Sequence, residues 1–363
     1  MAIFEVTRRT DNGRGNTAGT LSKAILDANN RRGNDTIVIK NNVRLSGEMI
    51  QLIDSNITIT GDDPDTVEEE TAIISGDDTY RPLFVKSGTV NINNLTLTNG
   101  TAKGGNSNLG GGGAGMGGAL FIYDGNVSVD NVNFSSNQAI GGDSGDTAAS
   151  NVGGGIFSVR LSENNGADGI GEPGDIYGGD GFGGDGGFGG NGGNGFGGDG
   201  GYYGRGGYFG RGGNGRGGDG GFGGNGGSGF GGGGFFDGYG DGGDGGFGGG
   251  GGYGFLGSGG DGGFGGGGGS GFLGGDGDGG FGGGDSGYTY SGYGGDGMGG
   301  AVFIRSGSLN ISQSTFSNNS ATGGSGASNG SNGEGLGGAI FAMKLTDENP
   351  DGSNQGLHWG KQL

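Results

Sequence analysis

The chain has 363 residues, of which 115 are glycine, and only 28% of its residues are apolar, against roughly 45–50% in ordinary domains when glycine is counted. Only part of the chain can therefore build a core. The net charge of −20 and the pI near 4.2 make nucleic acid and anionic membrane surfaces poor partners. The chain contains no cysteine, which excludes disulfide bonds, thiol catalysis and cysteine-ligated metal sites.

Residues 1–35 predict a strand followed by a helix that caps the fold. In TLSKAILDANNR, four apolar residues recur on one helical face: Leu21, Ala24, Ile25 and Ala28. Thr20 is suited to the N-cap, Gly33 to the end of the helix, and DTIVI to the strand that follows. An end cap of this kind covers strand edges that would otherwise be unpaired.

The opening of the chain also bears on export. MAIFEVTRRTDNGRG has no apolar core of the kind found in signal peptides, so we expect that export needs a signal elsewhere. The longest apolar runs are four to six residues, which is too short for a membrane-spanning helix.

The acidic run GDDPDTVEEE, from Gly61 to Glu70, allows two interpretations. Carboxylates two or three residues apart in a loop suit calcium, a hard cation that prefers oxygen ligands. A solvated loop with Pro64 at a turn explains the same residues without a ligand. The second interpretation is the prediction, with calcium as the alternative, and no other cofactor is expected.

Three copies of one pattern align without gaps along the chain. Their first residues are Phe84, Phe121 and Phe303. The alignment defines three apolar columns: Val90, Val127 and Leu309; Ile92, Val129 and Ile311; Leu97, Phe134 and Phe316. Within each copy the apolar residues lie two apart, which is the period of a strand with one buried face.

Three short strands with Ser, Asn and Gly corners, repeated in register, predict one coil of a parallel β-helix. Equivalent residues of successive coils then lie about 4.8 Å apart. The predicted fold is therefore all-β, a right-handed parallel β-helix with an N-terminal capping helix and a long glycine-rich inserted loop. Phe134 is predicted to point inward, and Asn137 and Asn319 to form a structural ladder at a corner.

Two shorter copies extend the pattern. GGGIFSVRLSENNGADG begins at Gly153 and pairs with GGAIFAMKLTDENPDG at Gly337. The predicted order is a full coil, a coil with one clear strand, and then the same pair again farther along the chain. The tail, residues 353–363, predicts a truncated second unit rather than an end cap.

Basic residues recur at equivalent positions of the first strand in successive copies: Lys86, Arg160, Arg305 and Lys344. They are the candidates for a catalytic base, but recurrence by copying does not indicate a unique site. The lone histidine, His358, lies in the tail, which excludes a cluster of histidines. We therefore predict no catalytic, cofactor-binding or metal-binding residue.

Residues 178–297 form a glycine-rich block with 72 Gly, 12 Asp, 13 Phe and 8 Tyr. One phrase recurs with small changes, and its copies begin at unequal intervals, at Gly183, Gly217, Gly242 and Gly259. The irregular spacing favours a mobile surface loop inserted between two coils, because ordering glycine carries a large entropic penalty. The GGx period leaves open extended threefold helices packed side by side.

Two sets of motifs resemble known families. FEVTRRTDNGRG and TLSKAILDANNRRGNDTIVI resemble the N-terminal segment of secreted bacterial right-handed β-helix proteins, cyanobacterial ones included. The GGAL, GGAV and GGAI motifs, with FSSN and FSNN, resemble the repeats of polymorphic outer membrane proteins of chlamydial surface autotransporters. The resemblance covers residues 1 to about 161 and 298 to about 352, and it implies an extracellular or outer-membrane-associated location.

The sequence accordingly predicts β-helix coils over residues 36–177 and 298–352, on either side of the glycine-rich block. The expected function is that of a non-catalytic secreted or cell-surface protein, adhesin-like, with glycans or further copies of itself as partners. The alternative is a carbohydrate-active enzyme, because right-handed β-helices host polysaccharide lyases and hydrolases. Fold by itself does not decide between them.

Overall fold

The computed structural model describes residues 1–61, 72–107, 110–145 and 240–343, except 256, 273 and 288–291, together with five two-residue strands within 169–230. Over these residues the protein consists mostly of β-strands with one α-helix. Every strand pair in the described part of the chain is parallel. Most pairs join residues that are far apart in sequence, so the fold is built by stacking successive segments.

The N-terminal part contains the helix α1 (Leu21–Asn29) and six strands: β1 (Ile3–Val6), β2 (Thr10–Asp11), β3 (Asp35–Ile39), β4 (Val43–Leu45), β5 (Ile57–Thr60) and β6 (Ala72–Ser75). The predicted helix is confirmed. The Thr20 hydroxyl accepts the Lys23 amide proton as an N-cap, and the predicted apolar face is buried. The helix ends at Asn29, four residues before Gly33, which adopts a positive φ of 114°.

Seven strands form the first two tandem copies: β7 (Leu83–Val85), β8 (Thr89–Thr98), β9 (Thr101–Lys103), β10 (Gly115–Met116), β11 (Leu120–Ile122), β12 (Asn126–Ser135) and β13 (Gln138–Ile140). Six two-residue strands lie between Gly169 and Phe255: β14 (Gly169–Ile170), β15 (Gly181–Phe182), β16 (Gly195–Phe196), β17 (Gly215–Arg216), β18 (Gly229–Phe230) and β19 (Gly254–Phe255). Seven strands follow the block: β20 (Gly297–Met298), β21 (Val302–Ile304), β22 (Ser308–Ser312), β23 (Thr315–Ser317), β24 (Ser320–Thr322), β25 (Gly335–Leu336) and β26 (Ile340–Ala342).

The predicted columns are confirmed residue by residue. Val127 pairs with Val90 on one side and Leu309 on the other, and Phe134 pairs with Leu97 and Phe316 in the same way. Phe134 is fully buried and its ring stacks on Phe316 at 4.7 Å. Each such side chain contributes about 1.5–3 kcal/mol by leaving water, so these columns form the main core.

The corners also follow the prediction. The side-chain amide of Asn137 donates to Oδ1 of Asn319 at 3.0 Å, and each of the two side chains also donates to a backbone carbonyl. A second corner, in the middle of the long strands, is made by Asn94, Asn131 and Gln313, all with φ near +50°. Asparagine tolerates this left-handed backbone better than most residues, which explains its recurrence there.

The order of the copies differs from the prediction. β11 pairs with β7 on one edge and with β21 on the other. A strand has only two edges available for pairing, so the two full coils are direct neighbours in this sheet, whereas a short copy was expected between them. The short copy at Gly337 lies where it was expected, because β26 pairs with β21. Residues 153–168 lie outside the described residues.

The glycine-rich block is also stacked copy on copy. Gly195, Gly229, Gly254 and Gly271 pair in one continuous row. Each is the thirteenth residue of one copy of the repeated phrase, so the copies are in register despite their unequal spacing. The inference that irregular spacing argues against packing was wrong, because these residues pair in register across intervals of 34, 25 and 17 residues.

Backbone groups along the described residues of 240–297 are hydrogen-bonded to neighbouring segments, unlike the predicted mobile loop. Amide groups of every third residue donate to a carbonyl sixteen residues later: Gly242, Gly245, Gly248, Gly251 and Gly254. Three residues is the period of the polyproline II helix, whose backbone groups are free to bond with neighbouring chains. The described part of the block therefore follows the alternative prediction, extended segments packed side by side.

The described part of residues 178–297 is called here the glycine array. Three phenylalanines attach it to the coils. Phe247, Phe264 and Phe281, called here the inner phenylalanine row, stack at 5.0 and 5.2 Å. They lie against the outward rings of the sheet β7–β11–β21–β26, with Phe264 at 6.2 Å from Phe303. That sheet is therefore buried on both faces, and the contact forms a second core.

Candidate binding surface

The structure describes two of the four basic candidates, Lys86 and Arg305. Arg305 packs its guanidinium over Tyr123 at 4.3 Å and lies within 5.8 Å of the Phe247 and Phe264 rings. It is therefore at the junction between the coils and the glycine array, where cation–π contacts contribute about 0.5–2 kcal/mol. Arg160 and Lys344 lie outside the described residues.

The backbone register also corrects the assumed equivalence of these residues. The amide groups of Tyr123, Arg305 and Met343 donate to the carbonyls of Val85, Ile122 and Ile304, respectively. Tyr123, Arg305 and Met343 therefore occupy one column, and Lys344 is one residue away from the position equivalent to Arg305. Lys86 begins the same column, since its amide donates to Ile53.

Arg81 is a buried cation that sequence reasoning missed. Its side chain is 4% exposed, and its Nε and Nη2 donate to the carbonyls of Gly117 and Met116, both at 2.9 Å. Burial lowers the pKa of Arg81 to about 10, opposed by the charge of Glu48. Arg81 remains protonated at neutral pH and holds two coils together. The sequence contains a signal for this residue, because Arg81 occupies the position at which the other copies have a glycine, Gly118 and Gly300.

A buried carboxylate fixes the capping helix. Asp11 accepts hydrogen bonds from the Ser22 amide and hydroxyl, both at 2.6 Å, and from the Gly13 amide at 2.8 Å. These donors satisfy both oxygens of a side chain that is 1% exposed. Such an arrangement is structural, because charge-assisted bonds of this kind compensate for the removal of the carboxylate from water.

The outward side chains of the large sheet form continuous polar rows. In one row Thr58, Asn91, Ser128 and Asn310 are register neighbours, and in the next Thr60, Asn93, Asp130 and Ser312. A third and a fourth row lie beyond the left-handed corner: Thr96, Asn133 and Thr315, with the apolar Ile73 beside Thr96 on β6; and Ser75, Thr98, Ser135 and Ser317. We call this surface, which spans β5, β6, β8, β12, β22 and β23, the polar face.

Hydrogen bonds between coils order the polar face. The hydroxyl of Ser308 donates to Oδ1 of Asn126 at 2.8 Å, that of Ser312 to Asp130 at 2.6 Å, and that of Thr315 to Asn133 at 2.8 Å. Asp130 is the one charged residue of these six strands. In a molecule with a net charge of −20, the polar face is thus an array of hydroxyl and amide groups that carries a single carboxylate.

The glycine array carries carboxylates that link its neighbouring segments. The carboxylate of Asp244 accepts the amide proton of Asp261, and that of Asp261 accepts the amide proton of Asp278, both at 2.9 Å. Burial raises the pKa of Asp296 to about 6, with the nearby Glu334 charge adding to the shift and the hydrogen bond from the Glu334 amide opposing it. In the parts of the chain that the structure describes, no three such groups converge as metal ligands. Residues 62–71, which contain the predicted calcium alternative, lie outside those parts.

None of the helical structure within the described residues has the length and hydrophobicity that a membrane span requires. Comparison with known proteins gave no match: neither a protein family, nor a curated protein, nor a solved structure is similar to this chain.

Proposed function

We propose that the coils form a right-handed parallel β-helix. The parallel, in-register pairing of the copies that begin at Phe84, Phe121 and Phe303 supports this fold. The right-handed sense follows from the general rule that connections between parallel strands of one sheet are right-handed in about 98% of cases. The glycine array then runs beside the β-helix and contacts it through the inner phenylalanine row.

On this fold we propose a non-catalytic protein of the cell surface or the extracellular space, adhesin-like, which binds extracellular glycans through the polar face. The observation that supports this function is the ordered array of hydroxyl and amide groups in register across six strands. Each such group can donate and accept hydrogen bonds, as sugar hydroxyls do. Repetition lets many weak contacts add up along a polymer.

The experiment measures adsorption of the full chain to insoluble polysaccharides and to a glycan array. The test variant carries Asn91→Ala, Ser128→Ala and Asn133→Ala on the polar face. The matched control carries Asn12→Ala, Asn16→Ala and Thr17→Ala in the exposed N-terminal loop, where the same groups lie away from it. We expect about tenfold weaker binding for the test variant and unchanged binding for the control. Equal binding by both variants, or no glycan binding by the unmodified chain, would contradict the proposal.

A further inference from the structure

The glycine array carries a second row of phenylalanines, distinct from the inner row. The backbone register places Phe196 beside Phe230 and Phe230 beside Phe255. Phe272 follows, because its amide donates to the carbonyl of Gly254 at 2.9 Å. Each of the four is the fourteenth residue of one phrase copy. We call this set the outer phenylalanine row.

The two members whose side chains are described are exposed. Phe255 is 39% and Phe272 56% exposed, whereas Phe264 and Phe281 of the inner row are 7% and 9% exposed. The Phe255 and Phe272 rings are stacked at 5.8 Å and are parallel within 4°. The same repeat therefore uses one phenylalanine to hold the coils and leaves another in solvent, and an exposed aromatic ridge of this kind is uncommon in a protein without a partner.

We propose that the outer phenylalanine row is the contact through which a second copy of this chain associates. Because the two rings stack on each other, each covers one face of its neighbour. A sugar ring needs a free aromatic face for stacking, so a glycan fits this row less well than a second phenylalanine row does. Identical residues in one backbone register row are also self-complementary about a twofold axis, as an isologous dimer requires.

Charge sets the conditions for this association. Each copy has a net charge of −20, and Asp241, which accepts the amide proton of Ser258, lies close to Phe255 along the array. Bringing two arrays together brings like charges together. Association is therefore expected to strengthen as salt screens this repulsion, which is the opposite of a contact held by ion pairs.

Sedimentation velocity of the full chain, over a series of protein and salt concentrations, tests this proposal. The test variant is Phe255→Ser with Phe272→Ser, and the matched control is Tyr293→Ser, an aromatic side chain that is 40% exposed elsewhere. We expect the test variant to raise the dimer dissociation constant by about tenfold or more, and the control to leave it unchanged. Circular dichroism and the melting temperature verify that both variants are folded.

Two outcomes would overturn the proposal. The first is an unmodified chain that stays monomeric at the highest protein and salt concentrations. The second is equal association of the test variant and the unmodified chain. A further variant, Ile311→Lys, places a charge on a 41% exposed residue of the last full coil; loss of association in this variant, with retention in the test variant, would assign the contact to the end of the stack. Glycan binding is measured separately, so failure here leaves the polar-face proposal standing.

Discussion

Phe134 and its neighbour Ser135 show that adjacent residues of one strand lie on opposite sides of the sheet. Its ring is fully buried, stacks on Phe316 and pairs in register with Leu97 of the preceding coil. The next residue, Ser135, is turned outward and donates to the Thr98 hydroxyl at 3.0 Å. One residue therefore faces the core and the next faces solvent, as the two-residue period of a strand requires.

The substitution Phe134→Asp is expected to destabilise the protein by about 4 kcal/mol or more, because it leaves an unpaired charge in the core. Ser135→Asp, one residue away, is expected to change the free energy of unfolding by less than about 1 kcal/mol. Chemical denaturation of both variants measures the difference. Equal stability of the two variants would show that the inward assignment is mistaken.

Asp296 predicts a dependence of stability on pH. Burial raises its pKa to about 6 in the folded protein, above the ordinary value of 3.8. The folded state therefore holds the proton more tightly than the unfolded state. Below about pH 3.8 Asp296 is protonated in both states, so it does not change the free energy of unfolding with pH. The free energy of unfolding falls by on the order of 2–3 kcal/mol as the pH rises from 3.8 to about 6 and above.

Asp296→Asn removes this charge and retains an oxygen that accepts the Glu334 amide proton. We expect a higher melting temperature than that of the unmodified chain at pH 7.5, and no difference at pH 3.5. The control is Asp54→Asn, at an exposed position, which should leave the pH profile unchanged. A constant difference between Asp296→Asn and the unmodified chain over this pH range would contradict burial of the charge.

At the scale of elements, the segments of the glycine array lie too close for a side chain at many of the glycines between them. A Cβ on Gly263 would lie 1.9 Å from the carbonyl oxygen of Gly246. Ordering each glycine costs about 1–2 kcal/mol of entropy or more, and hydrogen bonds to neighbouring segments offset this at about 0.5–1.5 kcal/mol each. Burial of the inner phenylalanine row contributes further.

A pair of alanine substitutions tests this close packing. Gly263→Ala must displace the neighbouring backbone and is expected to cost about 2 kcal/mol. At Gly275 the nearest atom to a Cβ is the Ser258 hydroxyl oxygen at 3.5 Å, so Gly275→Ala should be neutral. Limited proteolysis and thermal melting compare the two. If both variants resist protease equally, the array does not pack as described.

At the scale of the whole molecule, two cores share one sheet. The first lies inside the coils, and the second lies between the outward rings of β7, β11 and β21 and the inner phenylalanine row. The mobile loop that the sequence predicted would be dispensable, since loop closure costs only about 0.6 kcal/mol per doubling of length. The structure shows instead that Phe247 and Phe264 of the block lie against Phe121 and Phe303.

Replacing residues 179–296 with a short glycine linker should therefore lower the stability of the protein. The coils keep their own core, so unfolding should remain cooperative. Removing three phenylalanine contacts costs about 5 kcal/mol, and the uncovered rings should bind an apolar dye. Denaturation midpoints and dye fluorescence measure both effects. An unchanged midpoint without dye binding would restore the view of the block as an independent loop.

The inward residues, and the partner of each residue within the tandem copies, could be predicted from the sequence, whereas the second and third predicted strands of a copy form one continuous strand, β8 or β12. The physical reason is that a parallel in-register stack places like residues on one another, so alignment columns such as Val90, Val127 and Leu309 become contacts. The helix could also be predicted from the sequence, because its N-cap Thr20 and its apolar face lie within the helical segment itself.

Two features depend on tertiary contacts: which copies become neighbours, and whether the glycine block is ordered. Nearly identical copies compete for the same strand edge, and nothing local to Gly153 or Gly299 indicates which of them follows β11. The order of the glycine array depends on carbonyls sixteen residues away and on the rings of Phe121 and Phe303. These contacts exist only once the segments have been brought together, and so composition alone suggested a loop.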